Sequence, residues 1–186
     1  MTYVAVFAMV LCGLVLLVSA VSKVRGKAAY AEFVASVPAF GIPARWTRPF
    51  AGVTLAAEFV IAASLLPAAA LPTTGAGRWF ATAGLVLAAG LFGVLTVAVW
   101  RAVARRTGAV CRCFGPARTV LAPRHVVRNA LLLLVALAGA AAMPGADGAD
   151  PAAVALAAAV GAVGAVAVVR FEDLAELFAG PVPDAR

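Results

Sequence analysis

Five apolar runs, each about as long as a hydrocarbon bilayer is thick, dominate this chain and limit what it can fold into. They are about Thr2–Ser22, Pro49–Leu71, Trp79–Trp100, Val126–Met143 and Pro151–Val169. Crossing the hydrocarbon core takes roughly 20 mainly apolar residues in a helix. In lipid, only a helix or a closed barrel satisfies its own backbone hydrogen bonds. Charged residues make up 12% of the 186-residue chain, against about a quarter in an ordinary soluble domain. The expected fold is therefore all-α, a polytopic integral membrane helical bundle of about five transmembrane helices. The fourth and fifth runs are short and rich in alanine, so four spans are the alternative. The first run has no basic residues ahead of it and no clear small-residue cleavage site, which reads as a retained helix rather than a signal peptide. Residues 1–186 read as a single membrane-embedded domain, with 170–186 as a cytoplasmic tail.

The net charge of +7 is an orientation signal. If the spans alternate, fourteen of the fifteen Lys and Arg residues fall on one side, and Arg78 alone joins Asp147 and Asp150 on the other. Basic loops stay in the cytoplasm, so the N-terminus is expected outside and the C-terminus inside. A basic patch for nucleic acid is not expected. Trp46, Trp79 and Trp100 fall at span ends, where amphipathic rings anchor.

Two segments between or after spans look like amphipathic helices. In AAYAEFVASV, Tyr30, Phe33, Val34 and Val37 share one helical face. This predicts an interfacial helix after the first span, broken by Pro38, Gly41 and Pro43. RFEDLAELF repeats the arrangement in the tail, with Phe171, Leu174, Leu177 and Phe178 on one side.

Chemistry is concentrated in CRCFG, which begins at Cys111. The chain has three cysteines. Two of them, Cys111 and Cys113, stand one residue apart in an arginine-rich loop. Zinc normally takes four ligands, whereas the loop offers two thiols and His125, so no metal site is expected. Thiol–disulfide exchange needs only two sulfurs and an attacking thiolate. Arg112 between them, with Arg105, Arg106 and Arg118 nearby, favours the thiolate. The plain alternative is two inert small residues in a loop. Cys12 lies mid-span, where it either packs as a small hydrophobe or serves as a third, resolving thiol.

Glu58 is the acidic residue well inside a span. Such a carboxylate is costly and should face the bundle with a partner. Topology puts Lys23, Arg128 and Asn129 in the same leaflet, and Ser19 and Ser22 close by. A polar cluster of Ser22, Lys23, Glu58, Arg128 and Asn129 beneath CRCFG is expected, as either a structural ion pair or a proton-relay or cofactor site. The residues specify no cofactor, and a quinone is the one candidate.

SAVSKVRG at the end of the first span, Glu58 in the second, and CRCFG followed by RHVVRN resemble the MauE branch of the DoxX-like membrane proteins, over roughly residues 5–140. The resemblance implies a redox-associated helical bundle in a bacterial cell membrane. Family members act in methylamine utilisation, helping the quinoprotein methylamine dehydrogenase mature alongside a thioredoxin-like partner that handles disulfides. It further implies that Cys111 and Cys113 are the redox pair. The family's clients are extracytoplasmic, yet the charge asymmetry puts CRCFG in the cytoplasm. Either electrons cross the bundle, or this homologue serves another client. Two other functions stay open: a small transporter coupled through Glu58, and a non-catalytic assembly subunit.

Overall fold

A computed structural model describes residues 1–70, 75–105, 122–146 and 150–171. Among these residues the chain is helical and contains no strand. Five helices are long and apolar enough to cross a membrane: α1 (Thr2–Val24), α3 (Thr47–Ala70), α4 (Ala76–Ala104), α5 (Pro123–Ala142) and α6 (Pro151–Val169). The short α2 (Lys27–Ser36) follows α1. The two alanine-rich runs thus form α5 and α6, in line with the five-span reading.

Local signals mark the helix ends. Lys23 sits in the last turn of α1, where a cation complements the negative end of the helix dipole. After α2, Val37–Phe40 tightens into a 3-10 turn closed by Gly41 at φ 86°, a left-handed conformation that suits glycine. Pro123 and Pro151 occupy the first turns of α5 and α6, where a missing amide costs nothing. The Asp150 carboxylate caps α6 by accepting from the Ala152 amide at 2.9 Å.

α1 is the central helix and packs on α3, α5 and α6, while α4 closes the bundle against α3 and α5. In the most apolar stretch of each, 61% of α1 is buried but only 11% of α6, so α6 is a peripheral helix. Val6, Met9, Cys12 and Leu16 of α1 meet Leu65, Leu85, Leu132 and Ala136 in one core. Outside, Val53, Val60, Val94, Leu134, Leu156 and Val163 are exposed. A soluble monomer rarely shows so much contiguous apolar surface, whereas lipid accommodates it. Trp46, Trp79 and Trp100 are also exposed and lie at the ends of α3 and α4.

Lipid gives apolar side chains no reason to leave it for a neighbouring helix, so spans associate through close packing at small residues. Two glycines show this. A Cβ on Gly139 of α5 would come within 2.5 Å of the Ala8 Cβ, and one on Gly161 of α6 within 2.9 Å of the Phe7 carbonyl oxygen. The second obstacle is backbone and cannot swing aside. Gly161→Val is expected to destabilise the folded protein by about 1–3 kcal/mol, the usual range for overpacking. Thermal unfolding in detergent should show this as a lower midpoint. Gly52→Ala, whose Cβ enters open space, is the control and should leave the midpoint unchanged or raise it.

Candidate functional site

The polar centre is built from α1 and α3. Ser19 and Lys23 are four residues apart and therefore share one face of α1. Across from them, Glu58 lies eleven residues into α3, about 16 Å along its axis at 1.5 Å per residue. The Lys23 ammonium donates to both Glu58 carboxylate oxygens, at 2.7 and 2.8 Å, and to Ser19 Oγ at 2.7 Å. Ser19 Oγ donates to Glu58 Oε1 at 3.0 Å. Lys23 and Glu58 are 5% and 2% exposed, so the pair has left water. Three donor directions and a full compensating charge are what make such burial tolerable.

The ammonium has a further neighbour. Its Nζ lies 5.0 Å from the centre of the Phe33 ring, within cation–π range. Phe33 belongs to α2, the helix expected to lie in the interface. Phe33 and Ser36 of α2, with the buried Val37 that follows it, help line a cavity of about 580 Å³ beside the ion pair. Phe40, Ile42, Phe50, Phe92 and Leu95 supply apolar wall, and Arg128 and Asn129, both 5% exposed, join the polar floor. The rim includes Phe50 of α3 and Val94, Val97 and Arg101 of α4, all exposed. The exposed part of the cavity lining thus comes from α3 and α4.

The expected cluster is thus partly regrouped. Lys23, Glu58, Arg128 and Asn129 surround one space, and the hydroxyl that hydrogen-bonds Glu58 belongs to Ser19. Ser22 donates to the Ser19 carbonyl oxygen at 2.7 Å. The four-residue spacing of Ser19 and Lys23 was a usable signal for this. The contribution of Phe33 had none, because it depends on how α2 turns back. His125 is fully buried in the first turn of α5, where its Nδ1 accepts from the Ala122 amide at 3.1 Å. Cys12 is also fully buried, in the core of α1 among apolar side chains, and carries a free thiol.

Cys111, Arg112 and Cys113 lie outside the described residues, as does the tail beyond Phe171. The ends of the cysteine loop are described. It leaves α4 just after Arg105 and rejoins the described chain at Ala122, ahead of α5. Arg101 on the first helix and Arg128 and Asn129 on the second all line the cavity. Both tethers of the loop are therefore helices that form the cavity wall.

These features define a multi-pass helical membrane protein with a buried ion pair lining a cavity. The family model for methylamine utilisation protein MauE matches residues 1–142. The chain belongs to that family, whose match ends with α5 and does not include α6. Comparison with curated proteins and with solved structures finds no match.

Proposed function

We propose that this MauE-family membrane protein is a thiol–disulfide redox protein, with Cys111 and Cys113 as the exchanging pair. It would support maturation of, or electron delivery to, a partner protein. The observation that carries this reading is where the two ends of the loop attach. A close thiol pair flanked by arginines is tethered at both ends to helices lining a cavity with a buried, hydrogen-bonded polar floor. Local positive charge favours the thiolate needed for exchange, and a bridge across one residue closes a small ring of the easily reduced kind. Lys23 and Glu58 tie α1 to α3. Cys12, enclosed in the core, acts in packing. The partner, by family, is a thioredoxin-like or quinoprotein-maturation protein, and the client belongs to methylamine utilisation.

The transporter reading is less well supported. Such a protein is expected to carry interrupted helices around charge near the bilayer midplane. Here Glu58 is the one acidic residue inside the five spans, and Lys23 grips both its oxygens.

Charge asymmetry orients the loop toward the cytoplasm. The test is thiol labelling in a Cys12→Ala background, with a membrane-impermeant maleimide on sealed and on permeabilised cells. Labelling at Cys111 and Cys113 should require permeabilisation and should rise when reductant is added first. Labelling in sealed cells would place the loop outside. Thiols that neither oxidant nor reductant alters would remove the redox reading.

A further inference from the structure

The cavity lining has a direction along α4. Gly90, Val94, Val97 and Arg101 all line it and follow one another at steps of three or four residues, so they share one helical face. All four are exposed. On a spanning helix an exposed apolar face meets hydrocarbon. From Gly90 to Arg101 the stripe covers about 16 Å at 1.5 Å per residue. That is close to half of the roughly 30 Å hydrocarbon core, the depth of one leaflet. The stripe stays apolar until it reaches Arg101, in the last turn of α4. Beside it, a Cβ built on Gly90 or Gly93 meets nothing within 4 Å.

Polar lining gathers at the same end. Arg128 and Asn129 lie in the first two turns of α5, the helix that follows α4 in the chain. Among the described lining residues, Lys23, Arg101 and Arg128 are cations and Glu58 is the one carboxylate, so positive charge is in surplus. Lys23 is committed to Ser19 and Glu58 and offers a ligand nothing. Asn129 is different. It is 5% exposed and lines the cavity, and among the described residues its side-chain amide has no hydrogen-bond partner. A buried amide left unpartnered is costly, and an oxygen supplied by a ligand removes that cost.

We propose that this cavity holds one anionic phospholipid, with an acyl chain along the α4 stripe, an ester carbonyl oxygen on the Asn129 amide and the phosphate on Arg101. The inference is independent of the redox reading and uses neither loop cysteine. An apolar slot one leaflet deep matches one acyl chain, and the second chain stays in the bilayer. Arginine presents a planar fork that holds a phosphate through two parallel hydrogen bonds. Basic pockets between spanning helices bind anionic headgroups in this way. A zwitterionic head gains less, because its own cation meets the surplus positive charge of the lining. About 580 Å³ falls within the range of ligand pockets, roughly 300–1,000 Å³.

The test titrates the purified full chain in detergent with phosphatidylglycerol, phosphatidylcholine and oleate, read by native mass spectrometry. Wild type should take up one phosphatidylglycerol per chain, roughly tenfold or more tighter than phosphatidylcholine. Arg101→Gln, at an exposed position, should fold as wild type does and lose that preference. Gly93→Leu should weaken both phospholipids roughly tenfold, because the new side chain occupies the slot. Gly52→Leu, outside the lining, should bind as wild type does. Asn129→Leu should weaken phosphatidylglycerol binding while the lipid-free unfolding midpoint stays unchanged or rises, since no hydrogen bond within the protein is lost. A lowered midpoint with unchanged binding would make Asn129 a structural residue and overturn its part in the site. Equal affinity for the two phospholipids, no saturable uptake, or unchanged binding in folded Arg101→Gln and Gly93→Leu overturns the proposal. So does oleate that binds as tightly as phosphatidylglycerol and displaces it, which would assign the cavity to a free fatty acid.

Discussion

With Cys111 and Cys113 both changed to serine, client maturation should fall to the background of cells lacking the protein, while its amount in the membrane stays unchanged. The reasoning separates two requirements. Insertion depends on five apolar helices, and neither cysteine lies in one of them. Disulfide exchange depends on a sulfur attacking a sulfur, and a serine hydroxyl cannot replace either partner. Each single serine variant should be as inactive as the double, because the two sulfurs act as a unit. The Cys12→Ala variant supplies the contrast. It removes one buried sulfur from the core of α1, a loss of about 1 kcal/mol by the usual measure of deleted apolar volume, and leaves activity near wild type. A stable mixed disulfide with a partner in Cys12→Ala would instead make Cys12 a resolving thiol. Full maturation in the double-serine variant would overturn the redox reading.

The second large effect is expected at the ion pair. Glu58→Ala leaves the Lys23 ammonium buried without its carboxylate, and breaking a buried pair from one side typically costs about 3–5 kcal/mol. The expected result is a strongly reduced unfolding midpoint and a poor yield of folded protein. Glu58→Gln should be milder, since the amide keeps the volume and accepts a hydrogen bond from Lys23 or Ser19. Replacing both partners by apolar residues of similar size, Lys23→Met with Glu58→Leu, should recover much of the stability lost in Glu58→Ala, as apolar replacements of buried pairs often do. Activity separates the roles. If the pair only pins α1 to α3, the stable double variant is active. If its polarity serves the cavity, the double variant folds and remains inactive. Complete functional loss in a well-folded Glu58→Gln would favour transport through a titrating carboxylate.

The Lys23–Glu58 contact also shows how far topology carries a reading. Alternating spans placed both residues in one leaflet, along with Arg128 and Asn129, because chain direction through a bilayer is a one-dimensional matter. Which of those cations reaches the carboxylate depends on the rotation of each helix about its own axis. That rotation is set by packing at positions such as Gly139 against Ala8 and Gly161 against Phe7.

Sequence alone pointed to five apolar runs of spanning length and to their approximate ends, which the helices match. It also gave an expected orientation, from where the basic residues gather. Hydrocarbon thickness imposes a length rule, and the cost of carrying Lys or Arg across imposes a charge rule, both of which can be read along the chain. The placement of Phe33 over Lys23 and the cavity lined from several helices were decided by tertiary structure. Neither has a periodic or compositional signature. Each depends on the angle at which α2 turns back and on where helix surfaces fail to touch, and those are properties of several segments at once.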